Sequence, residues 1–305
     1  MTENNVQTIS EIQQREANAF LDGNACWQKI DNSGTTNKIY RGTLNKRSFI
    51  LRLNQQNSAL IGVCRQRENS VLKVIQPYPW AVNVIHNNWR RGWCLMQDHG
   101  KRLPPGNTCD SSRQQIYSLM AHCQSPGFQW ADAAHAPSNA ATASDLAINY
   151  STLLNSYRCF FGQHAIEKNA DHVVGERINN LILDIEPLQE LILHTQDLLQ
   201  QLPKLPHCLV HHDLHPGNIC LDNQQIKVID WEYAGIGNPL IDAIALRRHW
   251  DFSIQELASL PIFSQLKQQD LKQGLDISEQ VVDSLETLWS RAQTISKTTT
   301  KQRTA

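Results

Sequence analysis

The chain has no C-x-x-C pair, almost no net charge and no long apolar run. Each lack removes a class of protein. Eight cysteines (Cys26, Cys64, Cys94, Cys109, Cys123, Cys159, Cys208 and Cys220) are scattered without paired spacing, so they are expected to be reduced and mostly buried. With 28 basic and 29 acidic residues the formal charge is −1, which gives no support for binding nucleic acid or an anionic membrane surface. No apolar stretch approaches the roughly 20 residues needed to cross a bilayer. The N-terminal MTENNVQTISEIQQREANAF is polar and carries glutamates, unlike a secretory leader. What remains is a 305-residue chain with room for a substantial core divided between two lobes.

Periodicity along the chain changes near residue 100. Residues 8–22 read as a helix, with Ile9, Ile12 and Phe20 among polar neighbours. Ile39–Leu44 and Phe49–Leu53 read as successive strands joined by a turn at Asn45-Lys46-Arg47. Arg65–Ile75 reads as a helix, and Trp80–Met96 as two strands. Gln97-Asp98-His99-Gly100 would be the joint to the next lobe. From about residue 111 the pattern is helical. Ala131–Ser144 is expected to be a surface loop. Leu146–Phe161 and Ile178–Leu202 should be helices, the second kinked or divided at Pro187. Strands at Cys208–His211, Ile219–Leu221 and Ile226–Ile229 interrupt the helices, which resume after Pro239. The tail from Thr294 is polar and expected to be disordered.

The interruption carries the chemistry. Residues 209–231 read LVHHDLHPGNICLDNQQIKVIDW: a strand start, His211-x-Asp213, Asn218 five residues on, and a second strand ending in Asp230. Phosphoryl transfer needs one carboxylate to orient and deprotonate the attacking hydroxyl. It also needs an amide oxygen and a second carboxylate to hold the magnesium that neutralises the ATP phosphates. Asp213, Asn218 and Asp230 fit those roles in chain order and spacing. Alone, each is more often a turn Asp, a turn Asn or a strand-end Asp. The full motif between strands is what favours catalysis.

His-x-Asp-Leu-His-Pro-Gly-Asn followed by Ile-Asp-Trp-Glu-Tyr-Ala-Gly resembles the aminoglycoside phosphotransferase and choline kinase superfamily, and most closely bacterial thiamine kinases and choline or ethanolamine kinases. The resemblance implies an α+β fold of the two-lobed protein-kinase type. A small antiparallel-sheet lobe would run to about residue 97, a larger, mainly helical catalytic lobe would span 98–293, and a tail would occupy 294–305. ATP and magnesium are the implied co-reactants, and the cytoplasm, where ATP is, the expected compartment. Protein kinases place Phe-Gly after the metal-binding Asp. Here Trp231-Glu232 stands there, and no Ala-Pro-Glu segment lies downstream. Ser33-Gly34-Thr35-Thr36-Asn37 is similar to the family's phosphate loop, with Ser33 where the first Gly stands. Arg52 falls where the family has Lys or Arg, and Glu68 on the next helix would be its ion-pair partner. Adenine would lie at the Met96–Asp98 joint. His211 would brace the catalytic loop, His215 would shape the turn presenting Asn218, and Asp242 would hydrogen-bond the loop backbone.

Several residues keep two readings. Arg52 and Glu68 could form only a surface pair. Glu232 could reach toward a second magnesium, face a cationic substrate, or simply follow a strand into solvent. Trp231, Tyr233 and Trp250 could form an aromatic wall suited to a cation, or be core. His212 could line the pocket or face solvent. A transition-metal cluster of His207, His211, His212, Asp213 and His215 is disfavoured, because alternate strand residues point to opposite faces. The substrate expected from the resemblance is a small cationic alcohol, thiamine or choline/ethanolamine. An aminoglycoside is disfavoured because Ala243–Ser259 carries only Asp251 and Glu256 as acids. An ATP-binding pseudo-enzyme with a regulatory role is the reading from another class. A monomer or homodimer is expected, with no nucleic-acid or membrane partner.

Overall fold

The computed structural model describes residues 11–30, 37–54, 61–104, 106, 109–125, 143–170 and 185–303. In chain order its first elements are helix α1 (Glu11–Asn18), strands β1 (Cys26–Lys29), β2 (Asn37–Leu44) and β3 (Arg47–Asn54), helix α2 (Arg65–Ile75), and strands β4 (Val84–Asn88) and β5 (Trp93–Gln97). The strands form one antiparallel sheet in the order β1-β2-β3-β5-β4. The β2–β3 turn is shorter than expected. Asn45 and Lys46, with φ of 50° and 64°, make a two-residue turn whose left-handed backbone matches strand twist, and Arg47 already pairs with Leu44. Side chains alternate along β3. Phe49, Leu51 and Leu53 pack with Tyr40, Trp93, Leu95 and Ala17 of α1. Arg52 therefore points to the opposite face.

The rest is mainly helical: α3 (Asp110–Cys123), α4 (Ala143–Leu146), α5 (Tyr150–Ala170), α6 (Ile185–Gln201), α7 (Pro239–Trp250), α8 (Ile254–Ala258) and α9 (Gln268–Arg303). Two antiparallel strand pairs are set among them: β7 (Ile219–Asp222) with β8 (Gln225–Val228), and β6 (Cys208–Val210) with β9 (Gly235–Gly237). The largest core joins Val71 and Ile75 of α2 to Ile116, Met120, Ile219, Val228, Trp231, Leu240, Ile244 and Leu271. This is the expected α+β architecture, a five-stranded antiparallel sheet succeeded by a mostly helical remainder.

Four expectations are corrected. The helix expected over 146–161 is broken at 147–149, where Ile148 donates its N–H to Ile236 O at 2.9 Å and Asn149 then caps α5 by accepting from Thr152 N. Pro187 lies in the first turn of α6, where its missing N–H costs nothing, and does not kink the helix; residues 178–184 lie outside the described residues. The polar tail is helical to Arg303. Leu288, Ala292 and Ile295 recur at helical spacing and pack against Leu154, Phe161 and Ile192. The cysteines divide evenly: Cys94, Cys123, Cys208 and Cys220 are buried, while Cys26, Cys64, Cys109 and Cys159 are exposed. Residues 131–142 of the expected surface loop lie outside the described residues. No helix among the described residues is long and apolar enough to cross a membrane.

Candidate active site

The loop carrying Asp213 leaves β6 and is held from below by a carboxylate. Asp242, fully buried in the first turn of α7, accepts the backbone N–H of His211 at 2.7 Å and of His212 at 2.9 Å. Burial pushes its carboxyl up, while the two N–H donors and His211 pull it back down. The His211 ring is fixed at both nitrogens. Nε2 lies 3.0 Å from Ile229 O, to which it can only donate, and Nδ1 accepts from Asp213 N at 3.3 Å. His211 thus ties the loop to the strand end that carries Asp230. Between them His212 takes φ +68°, a backbone conformation costly for an L side chain.

Asp213 and Asn218 meet directly. Asn218 Nδ2 donates to Asp213 Oδ2 at 2.8 Å and to the Asp213 carbonyl at 2.9 Å, which fixes the amide's orientation. No described hydrogen bond uses Asn218 Oδ1. His215 Nε2 lies 3.6 Å from Asp213 Oδ1, and both side chains remain partly open to solvent. The imidazole lies so close over Gly217 that a Cβ there would come within 2.6 Å of its Cε1, while its Nδ1 accepts Gly217 N–H at 3.0 Å. Burial pushes the Asp213 carboxyl up, but His215, His211 and Asn218 outweigh it and hold the group below its ordinary range. Asp213 reciprocally raises the His215 imidazole.

Asp230 reaches the same end of the β7–β8 pair. Ile219 pairs with Val228, and Ile229 N–H donates to Asn218 O at 2.9 Å. Asp230 itself is left-handed (φ +66°), turning the chain into the short 3-10 turn Trp231–Tyr233. From the sheet, Arg52 NH2 lies 2.6 Å from Glu68 Oε1, and its NH1 3.4 Å from Asp230 Oδ1. Arg52 and Glu68 are buried, so this is no surface pair. Burial works against the Arg52 charge, but Glu68, Cys94, Asp230 and Glu232 together raise its pKa. An amide oxygen at Asn218 and a carboxylate at Asp230, with the remaining positions left to phosphate oxygens and water, is a donor set that fits magnesium.

The other expected residues divide. Met96 and Asp98 stand at the joint. The Asp98 carboxylate is spent on structure, accepting from Arg41 Nε and Ser48 Oγ at 2.7 Å and from Gly100 N at 3.0 Å. Ser33, Gly34, Thr35 and Thr36 lie outside the described residues, whereas Asn37 begins β2. Trp231 and Trp250 are core and not an aromatic wall. Both rings are almost wholly buried, and their indole N–H groups are taken by Val228 O and Leu214 O. Glu232 is not a solvent-facing or substrate-facing acid. It is 4% exposed, its Oε2 accepts from Asn37 Nδ2 at 2.9 Å, and burial beside Asp230 pushes its carboxyl up to about 7.

Two pairs escaped the sequence reading. Trp289 Nε1 donates to Tyr233 Oη at 3.0 Å, and Tyr150 Oη lies 2.8 Å from His212 Nε2 with the rings stacked. Burial pushes the His212 imidazole down to about 3, so it is neutral and Tyr150 can serve it as donor or acceptor. Positive φ at 212 is the only signal that could have marked His212, and a sequence does not show it. Trp289 sits in a helical stripe indistinguishable from core.

An acidic loop, an amide–carboxylate pair whose donors suit magnesium and a buried Arg–Glu pair stand together on this fold. Residues 162–272 match the model of the phosphotransferase enzyme family, APH. The fold is similar to choline kinase LicA from Streptococcus pneumoniae (TM-score 0.62, 14% identity, 92% of this chain and 89% of that one). In complex with AMP, the same kinase aligns with TM-score 0.59 and 17% identity over 92% and 89% of the two chains. Ethanolamine kinase from Plasmodium vivax aligns with TM-score 0.56 and 14% identity over 89% and 77%. ADP-bound aminoglycoside phosphotransferase APH(2'')-Ib aligns with TM-score 0.54 and 13% identity over 94% and 98%. No curated sequence matches the chain significantly. The chain thus matches the phosphotransferase family over residues 162–272 and shares its fold with choline, ethanolamine and aminoglycoside kinases.

Proposed function

We propose that the chain transfers the γ-phosphoryl group of magnesium-ATP to the hydroxyl of a small cationic alcohol of the thiamine or choline/ethanolamine type. The observation that carries the transfer reading is the convergence of Asp213, Asn218 and Asp230 at one end of the β7–β8 pair, against the Arg52–Glu68 pair. Asp213 receives the proton of the acceptor hydroxyl at Oδ1, the oxygen that Asn218 does not bond, while Asn218 steadies Oδ2. The acceptor oxygen bonds to the γ-phosphorus, the bond to the bridging oxygen breaks, and ADP leaves. Asn218 and Asp230 hold magnesium, which neutralises charge on the phosphates. Arg52 is directed at the phosphates by Glu68, with adenine at the Met96–Asp98 joint. His211, His215 and Asp242 hold the loop. Catalysis is then mainly positioning and electrostatics.

For the acceptor, the likeness to choline and ethanolamine kinases and the Tyr233–Trp289 pair support a cation held against aromatic faces. The aminoglycoside reading has the likeness to an aminoglycoside phosphotransferase in its favour. We assign residues 1–97 to the nucleotide lobe and 98–293 to the catalytic lobe, and the protein to the cytoplasm as a monomer or homodimer. The test is magnesium-dependent ATP consumption across thiamine, choline, ethanolamine, an aminoglycoside, homoserine and a sugar. One strong turnover on thiamine, choline or ethanolamine is expected. Turnover confined to the aminoglycoside would overturn the acceptor class. ATP binding without turnover on any acceptor would favour the pseudo-enzyme, and no ATP binding would sink the kinase reading.

A further inference from the structure

His212 is the residue before Asp213, and it is held in a costly conformation. Its φ of +68° lies in the left-handed region, where a glycine sits without penalty and an L side chain does not. Its backbone N–H is bound to Asp242 Oδ1 at 2.9 Å. Its ring stacks on Tyr150, with Nε2 2.8 Å from the phenol Oη. The turn itself needs no side chain at this position, so the imidazole is kept for what it contacts.

Backbone pairing brings Tyr150 to the loop. Ile148 N–H donates to Ile236 O, which lays the start of α5 beside β9, and β9 pairs with β6, the strand from which the loop leaves. Gly237 makes room for the phenol: a Cβ there would come within 2.9 Å of Tyr150 Oη and 2.8 Å of Val210 Cγ2. Asn238 N–H then donates to Tyr150 Oη at 3.4 Å. Burial pushes the Tyr150 hydroxyl up, so it keeps its proton, and among the described residues the acceptor for that proton is His212 Nε2. Burial also pushes the His212 imidazole down, helped by Arg67, so the ring is neutral and its own proton belongs on Nδ1. One chain of hydrogen bonds thus runs from Asn238 N–H through Tyr150 to His212.

We propose that Tyr150 and His212 are positioning residues for Asp213: by holding the imidazole, the phenol keeps His212 left-handed and so fixes the direction in which the Asp213 carboxylate leaves the loop. This rests on the proposed reading of Asp213 as the base. Asp242 holds the backbone of His211 and His212 from α7, and Tyr150 holds the His212 side chain from α5, so the residue before Asp213 is clamped between two helices. Neither side chain carries a proton in the transfer or binds the nucleotide.

Two substitutions separate holding from packing. Tyr150→Phe keeps the stacked ring and removes only the hydroxyl. His212→Gly removes the imidazole and lets the backbone adopt the left-handed φ freely. Both, with their double variant, are compared on the full chain with the acceptor of the panel above that the unaltered chain turns over fastest. The readouts are kcat, acceptor KM, calorimetric affinity for magnesium-ATP and melting temperature. Tyr150→Phe is expected to lower kcat by about tenfold to a hundredfold, the scale on which a misplacement of about 1 Å costs rate, with magnesium-ATP affinity within about twofold. His212→Gly should lower kcat by a similar factor. Adding Tyr150→Phe to His212→Gly should cost less than about twofold more, because no imidazole is left for the phenol to hold. Equal losses from Tyr150→Phe in both backgrounds would show that the phenol does not act through His212 and overturn the proposal. A lower melting temperature of Tyr150→Phe at unchanged kcat would reduce the pair to a fold contact. Magnesium-ATP affinity falling in step with kcat, or a raised acceptor KM at unchanged kcat in His212→Gly, would place the effect elsewhere than Asp213 and overturn it as well. If the unaltered chain turns over no acceptor of the panel, the kinase reading fails before any variant is compared, and this inference with it.

Discussion

The two halves of the site are built by opposite means. On the side of the Asp213 loop, Asp213, His215, Gly217 and Asn218 bond with one another within residues 213–218, while Tyr150, Ile229, Asp242 and Trp250 hold the loop from farther off. On the sheet side, Arg52 reaches Glu68 from a neighbouring helix and Asp230 across 178 residues, and Asn37 reaches Glu232 across 195. The loop side stays half open to solvent, while the sheet side is buried. A short loop can be set largely by its own neighbours, whereas remote, desolvated groups depend on one another, since each charge is worth more there and a missing partner costs more.

The difference predicts unequal responses to mutation. Asp213→Ala should lower turnover by about a hundred- to ten-thousand-fold while leaving magnesium-ATP affinity nearly intact. Steady-state rates beside calorimetric binding check both, and near-normal turnover would refute the assigned base. Arg52→Ala should do the reverse, weakening magnesium-ATP binding and costing about 3–5 kcal/mol of stability, because Glu68 is left buried without its partner. Denaturant unfolding with and without a compensating Glu68→Gln measures that cost. Recovery of stability without nucleotide affinity is the expected outcome, and an unchanged unfolding midpoint in Arg52→Ala would mean that the pair is not desolvated in solution.

Asp242→Asn tests a remote support of the loop that holds two of its backbone N–H groups. The amide can accept one of the two N–H groups but sets its own N–H2 against the other, so a loss of about 2 kcal/mol is expected. A lower melting temperature together with slower turnover is the signature. Turnover lost at unchanged melting temperature would argue for a direct chemical role instead. The smallest effect belongs to His215. Asp213 raises its imidazole, so the stabilisation from the charged form is fully present below the ordinary imidazole range, about 6.5, and fades as pH rises through the raised value. Asp213, held low, supplies its share above its ordinary carboxylate range and loses it as pH falls through the lowered value. Comparing melting temperatures of the unaltered chain and His215→Gln at about pH 6 and pH 9 should show a gap that narrows at the higher pH. A constant gap would mean that the ring acts only through its packing over Gly217.

Local support also explains what could be read without coordinates. Asp213, Asn218 and Asp230 could be read as a group because their spacing on a hairpin fixes their meeting, and Arg52 with Glu68 because the family resemblance implies that pair. For Trp231, Trp250 and Glu232 the sequence left substrate contact and burial both open. Proximity in sequence to a catalytic residue says nothing about which way a side chain turns when the chain bends through a left-handed residue, as it does at Asp230. The tail after Thr294 was misread because composition was weighed over the 288, 292, 295 spacing that carries its helix into the core.

By itself, then, the sequence determined the α+β order of elements and which acid, amide and carboxylate stand together on the β7–β8 hairpin, since these come from short-range spacing and backbone preference. Only the tertiary structure decided that Glu232 faces Asn37, that Tyr150 meets His212, that Trp289 meets Tyr233, and that two conspicuous tryptophans belong to the core. Those pairings depend on which faces are desolvated when the lobes and helices pack, a property of the whole fold that no local pattern encodes.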